Sequence, residues 1–188
     1  MSEATADIRA KDLFHFCTRC GAARAATAGG AHPFRCASCG FTYYFNPACA
    51  VAVIIEDGNG RVLFIRRGRE PARGKLAMVG GFADPGETGE EAARREVREE
   101  VGLELAGIEY VGAWPNVYHA GGFVVDVLDI FYHARLATTA MSLDPAEVSS
   151  AEWQDPRSVA PEEIAFPSMR AALAEYVARR GGAGEERG

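Results

Sequence analysis

The stretch Gly81–Leu103, GFADPGETGEEAARREVREEVGL, constrains this chain more than any other. Asp84, Pro85 and Gly86 are turn residues. Thr88 follows as a helix cap, with Glu91 three positions on as its capping-box partner. At about 100° per residue, Glu96, Glu99 and Glu100 fall within one arc of roughly 100°. Ala93, Val97 and Val101 form an adjoining apolar stripe that can face a core. A Glu/Arg-rich helix is commonly a solvated face laced with i,i+4 pairs. Three carboxylates on one arc repel one another, however, and stay ionised only with positive charge among them. An all-oxygen donor set of this kind suits a hard cation, Mg²⁺ or Mn²⁺.

The order of the residues adds to this. Gly81, five residues, Glu87, seven residues, then Arg95-Glu96-Val97-Arg98-Glu99-Glu100-Val101-Gly102-Leu103 matches the Nudix box at every fixed position. On these residues the chain resembles the Nudix hydrolase family. The resemblance implies an α/β/α sandwich with a mixed sheet, and divalent-metal-dependent hydrolysis of a nucleoside diphosphate linked to another group. It makes Glu96, Glu99 and Glu100 the ligands of Mg²⁺ or Mn²⁺, with the Gly81 carbonyl nearby and Glu87 as a further acidic group. Arg95 would pair with a glutamate of the box. A further glutamate on a loop before a late Trp-containing strand binds metal or acts as base in some members. Glu147 stands in that place and Glu152 is the fallback.

Two Cys-x-x-Cys-Gly knuckles, Cys17–Gly21 and Cys36–Gly40, precede this domain with fifteen residues between Cys20 and Cys36. That spacing predicts a tetrahedral Cys₄ zinc ribbon over 13–49, with Cys17, Cys20, Cys36 and Cys39 as ligands. Four thiolates leave no open position, so the Zn²⁺ is read as structural. His15 and His32 are not needed as ligands, and Cys49 is assigned to the core. Arg19, Arg24 and Arg35 with Phe34, Phe41, Tyr43 and Tyr44 could hold nucleic acid. Packing of these aromatics against the main domain is the preferred alternative.

The main domain is expected over 50–180, between a flexible terminus at 1–12 and a disordered Gly/Glu-rich tail at 181–188. Strands are predicted at 50–56, 61–67, 76–82, 105–114, 123–136 and 151–154, with a terminal helix at 169–180. A net charge of −6 argues against a general nucleic-acid binder, while local basic patches stay open. The polar start does not read as a signal peptide, and no apolar run approaches the roughly 20 residues of a membrane span. The expected compartment is the cytoplasm.

A ribbon ahead of a Nudix domain resembles the NADH pyrophosphatase branch, which carries a Ser-Gln-Pro-Trp type stretch after the box. Here Gly112-Ala-Trp-Pro-Asn-Val-Tyr118 keeps Trp114 and Pro115 without the Ser-Gln pair. It is more similar to ribbon-bearing ADP-ribose-type members with a Pro-Asn-x-Tyr segment. ADP-ribose is therefore placed ahead of NADH and of NAD-capped RNA as substrate. Phe82, Trp114 and Tyr118 are candidates for base stacking and Arg66 for the phosphates. A nucleotide- or nucleic-acid-binding regulator without turnover is the reading from another class, and the intact box disfavours it. The resemblance also implies a homodimer.

Overall fold

The computed structural model describes residues 8–24, 32–136 and 140–182. Among these the elements run β1 (Ile8–Arg9), α1 (Ala10–Leu13), β2 (Phe34–Arg35), β3 (Thr42–Tyr43), β4 (Ala48–Glu56), β5 (Val62–Arg67) and β6 (Leu76–Ala77). They continue with α2 (Gly89–Val101), β7 (Glu109–Ala120), β8 (Phe123–Arg135), β9 (Val148–Gln154) and α3 (Pro167–Gly182). The chain divides into two compact units.

The smaller unit takes the chain up to Ala48 together with 117–126, the tip of the β7–β8 hairpin. In each knuckle the glycine turns its N–H back: Gly21 donates to the Cys17 carbonyl at 2.8 Å and Gly40 to that of Cys36 at 3.0 Å. Both sit at positive φ, +73° and +72°, which a side chain would resist. β2 and β3 pair antiparallel with Phe34 opposite Tyr43. Cys17, Phe34 and Cys36 are buried, and Phe14, Phe41 and Phe45 pack around them. The Phe14 ring lies 5.5 Å from Phe34, 4.9 Å from Tyr43 and 4.7 Å from Phe45. Phe34, Phe41 and Tyr43 thus serve the ribbon's own core, because so short a segment has little else to bury. Within the terminus expected to be flexible, 1–12, residues 8–12 carry β1 and most of α1, and β1 pairs parallel with β8 at Phe123 and Val124. Residues 1–7 of the expected flexible terminus lie outside the described residues.

In the larger unit Val51–Ile55 and Val62–Ile65 are continuous buried runs, the signature of strands covered on both faces. β4 lies between β8 and β5, while β6 and β9 pair with β5 and β7 pairs with β8. Adjacent residues of a strand face opposite sides. A Cβ at Gly89 of α2 would come within 2.4 Å of the Tyr132 hydroxyl. The next residue, His133, places its ring 5.2 Å from Tyr176 of α3. The two long helices therefore cover opposite faces, giving the expected α/β/α sandwich with a mixed sheet.

Four local expectations change. The strand expected over 76–82 is regular only at Leu76–Ala77, and Val79 and Phe82 then make isolated bridges to Val53 and Ala50. Between them a Cβ on Gly80 would lie 2.1 Å from the Val51 carbonyl, so the ladder breaks where the backbones crowd. Pro115 and Asn116, expected in a connection, lie inside β7. Among the described residues β7 pairs only with β8, so a proline there removes no bond on its outer edge. Cys49, assigned to the core, is exposed, because burial in β4 starts only at Val51. The helix expected to end at 180 continues to Gly182, and the rest of the expected tail, 183–188, lies outside the described residues. Among the described residues no helix is long and apolar enough to cross a membrane.

Candidate active site

Helix α2 carries the box. The Thr88 hydroxyl accepts from the Glu91 N–H at 3.2 Å, and the Glu91 carboxylate accepts from the Thr88 N–H at 2.8 Å. The predicted capping box is therefore formed. At the other end Gly102 donates to the Arg98 carbonyl at 3.0 Å. Ala92, Ala93, Val97 and Val101 are buried, so the apolar stripe faces the core and orients the acidic arc beside it.

The bridge segment Val79–Phe82 runs past this arc. Gly80 donates its N–H to Glu100 Oε2 at 3.1 Å. A Cβ on Gly81 would lie 2.6 Å from Glu96 Oε1, so the box glycine makes room for a box carboxylate. The Gly81 carbonyl accepts from the Val51 N–H at 2.8 Å, which occupies one of its two lone pairs.

Arg95 is the hub of the acidic side chains. It donates to Glu87 at 2.8 and 2.9 Å, to Glu96 at 2.7 Å, to Glu99 at 3.1 Å and to the Phe82 carbonyl at 3.0 Å. These bonds, first among causes, hold the Glu87 carboxyl down to about 2. Glu96 behaves oppositely. Burial pushes its carboxyl up, Arg95 pulls it down, and the charges of Glu99 and Glu147 push it up again. Glu100 is 6% exposed. Burial raises its carboxyl to about 8 against the pull of the Gly80 N–H, with Glu96 and Glu147 adding to the rise and Arg67 opposing it.

Glu147 thus bears on Glu96 and on the buried Glu100. It sits in the turn Asp144–Val148, which is docked on the end of α2 by Asp144 N–H to the Glu100 carbonyl, 3.0 Å. Glu152, the fallback, is instead tied to Arg66 at 3.1 Å across β9 and β5. Arg66 also donates to the Gly74 carbonyl at 3.1 Å. The rings expected to stack a base lie apart in role. Phe82 is 41% exposed beside the Arg95 hub. Trp114 packs edge-on against buried Phe131 at 5.5 Å, folded over Gly112, where a Cβ would be only 2.4 Å from the indole. Tyr118 falls in the hairpin tip that clusters with the ribbon. Two contributors go beyond the residues expected at this site: the Gly80 N–H and Asp144. Their signal lay in tertiary approach, which no spacing along the chain announces.

The donor chemistry fits a hard divalent cation. Glu96 and Glu100 are driven toward their neutral forms by burial and by neighbouring charge, and a cation among them would reverse that. The oxygens are not gathered in this state. Among the described residues the only His/Cys/Asp/Glu group whose ligand atoms all lie within 4.8 Å of one another is Cys17, Cys20, Cys36 and Cys39. Cys17 lies 3.7 Å from Cys39 and Cys20 3.7 Å from Cys36, sulfur to sulfur. The N–H groups of Cys39 and Ser38 draw the Cys36 thiol down to about 6, against its burial. Cys20 goes up to about 12: the Ala22 N–H pulls it down, and the other thiols and burial outweigh that pull. Four thiols so opposed could hold one zinc ion.

A family model described as the NUDIX domain matches residues 46–176. The chain belongs to the NUDIX family. It is 30% identical over 152 residues to the NAD-capped RNA hydrolase NudC of Pseudomonas entomophila (strain L48), covering 80% of this chain and 51% of that one. The chain therefore spans about half the length of this curated relative. A Nudix hydrolase from Nitrosomonas europaea superposes with a TM-score of 0.65 at 24% identity, over 89% of this chain and 93% of that one. The Nudix domain of Shewanella oneidensis NrtR, solved with ADP ribose, superposes with a TM-score of 0.59 at 20% identity, over 71% and 88%. Both structures bear on the fold alone. The matched segment holds the whole box and Glu147, and it begins after the four clustered cysteines.

Proposed function

We propose that this Nudix protein is a divalent-metal-dependent pyrophosphohydrolase of a nucleoside diphosphate linked to a second group. Water would add across the bridging P–O–P anhydride, releasing a nucleoside monophosphate and the phosphorylated second group. The observation that carries this is the acidic arc of α2 laid along Gly80 and Gly81, with Gly80 donating to Glu100 and Gly81 leaving room for Glu96, where burial and neighbouring charge oppose ionisation. Glu96, Glu99 and Glu100 would hold Mg²⁺ or Mn²⁺, with Glu147 and the Gly81 carbonyl within the same group of donors. Bound there, the ions supply neutralisation of phosphate oxygens and a lowered pKa for the attacking water. Arg95 orients Glu87, Glu96 and Glu99 from behind, and Gly80 orients Glu100 through its N–H. Glu147 is our candidate to take the proton from water, with Glu96 and Glu152 as the alternatives.

For the whole substrate, the curated relative favours a nicotinamide dinucleotide or a nucleic acid capped by one, ahead of the ADP-ribose preferred on sequence. ADP-ribose stays as the second reading because the Ser-Gln pair is absent before Trp114 and Pro115. The cysteine cluster is read as a structural zinc site. The test is a product assay on NADH, NAD-capped RNA and ADP-ribose with Mg²⁺ and then Mn²⁺. Release of a monophosphate that stops on chelation and in Glu100→Gln is expected. Turnover that survives chelation would overturn the reading.

A further inference from the structure

We infer that Arg69, on the loop between β5 and β6, is a positioning residue for Glu147. The inference rests on the reading of Glu147 as part of the active site. Both guanidinium terminal nitrogens of Arg69 reach the carboxylate: Nη1 to Oε1 at 2.8 Å and Nη2 to Oε2 at 2.8 Å. This is a two-pronged pair, the geometry that separates a directing ion pair from an ordinary surface contact.

The backbone around the pair is fixed from both sides. Gly68 donates its N–H to the Glu147 carbonyl at 2.8 Å, and a Cβ on Gly68 would come within 3.0 Å of that same oxygen. On the other side the Glu147 N–H donates to the Asp144 carbonyl at 3.2 Å, and the Asp144 carboxylate accepts from the Ala146 N–H at 2.9 Å. Asp144 is itself bonded to the Glu100 carbonyl at the end of α2. With the main chain pinned, the direction of the Glu147 carboxylate is decided by its side-chain torsions, and Arg69 sets them. The fork occupies one lone pair on each oxygen. The remaining pairs stay available to water or a cation, and the charge of Glu147 still reaches Glu96 and Glu100. Arg69 therefore does not touch the reacting atoms. It fixes the direction of a partly exposed carboxylate whose charge reaches Glu96 and Glu100.

A double-mutant cycle in the full chain tests this. Arg69→Ala, Arg69→Lys, Glu147→Gln and the Arg69→Ala/Glu147→Gln pair are compared for kcat, KM and Mn²⁺ affinity by electron paramagnetic resonance, with Tm as the folding control. Arg69→Ala should lower kcat and Mn²⁺ affinity about tenfold, within the coupling range of residues in one ion-pair network, with KM nearly unchanged. Arg69→Lys should recover only part, since an ammonium cannot fork. In the Glu147→Gln background Arg69→Ala should have no further effect. Parent values in Arg69→Ala, or the same loss in both backgrounds, would overturn the inference. If Glu147→Gln alone leaves kcat and Mn²⁺ affinity unchanged, the placement of Glu147 in the site falls first, and the role of Arg69 falls with it.

Discussion

Glu100 is the residue whose chemistry is most at odds with its surroundings. It is held by a backbone N–H rather than a guanidinium, and its folded carboxyl is up near 8 through burial. A carboxyl raised on folding supports stability below its unfolded pKa and loses that support as pH rises through its folded pKa. Without divalent cation, the melting temperature should therefore fall as pH is raised from about 5 to about 9. The fall should be smaller in Glu100→Gln and should be reversed by Mg²⁺ in the parent, which differential scanning fluorimetry would show. The same substitution should lower kcat by about two orders of magnitude or more while the fold persists. The glycines beside it separate two roles. Gly81→Ala pushes on the movable end of Glu96 and should weaken Mn²⁺ binding with little change in Tm. Gly80→Ala pushes on the Val51 backbone, which cannot yield, and should destabilise by about 1–3 kcal/mol in denaturant titration.

Helix α2 is the element that turns these residues into a site. Its cap and its buried stripe set where it starts and how it is rolled, and the acidic arc follows from both. Thr88→Ala should remove about 1 kcal/mol of stability, read in denaturant unfolding, while kcat changes little. The element was legible because each part of it is local: a capping box three residues apart, a stripe at helical spacing, a glycine past the end. Strand β7 was legible only in part. Its proline reads as a break along the chain, but among the described residues β7 pairs with β8 alone, so the strand runs through with its outer edge unpaired there. The segment after β6 departs from a regular strand for a related reason. The crowding at Gly80 comes from β4, some thirty residues away in the chain.

At the scale of the whole molecule, the ribbon and the Nudix unit have cores of different kinds. The ribbon packs a few aromatics around sulfur, and the Nudix unit buries long aliphatic strands. If zinc supplies much of the ribbon's folding free energy, a strong chelator or Cys36→Ser should abolish an early melting transition and leave the main one near its parent temperature. The reading of a homodimer predicts twice the 20.1 kDa chain mass in light scattering, and the single-chain mass would remove it.

What the chain alone determined are the features written within a few residues of one another. These are the box with its acidic arc, the two knuckles, the apolar runs that make the strands, and from them the family and the fold class. Local spacing suffices there because helix pitch and knuckle geometry are set by covalent structure and nearest-neighbour bonds. What only the tertiary structure decided is which distant groups meet: Glu147 brought to Glu96 and Glu100, Glu152 turned to Arg66, Cys49 left exposed, and Arg69 closed on Glu147. Those outcomes depend on loops laid across the end of a helix, where charge and burial act through space and the sequence separation between partners carries no distance.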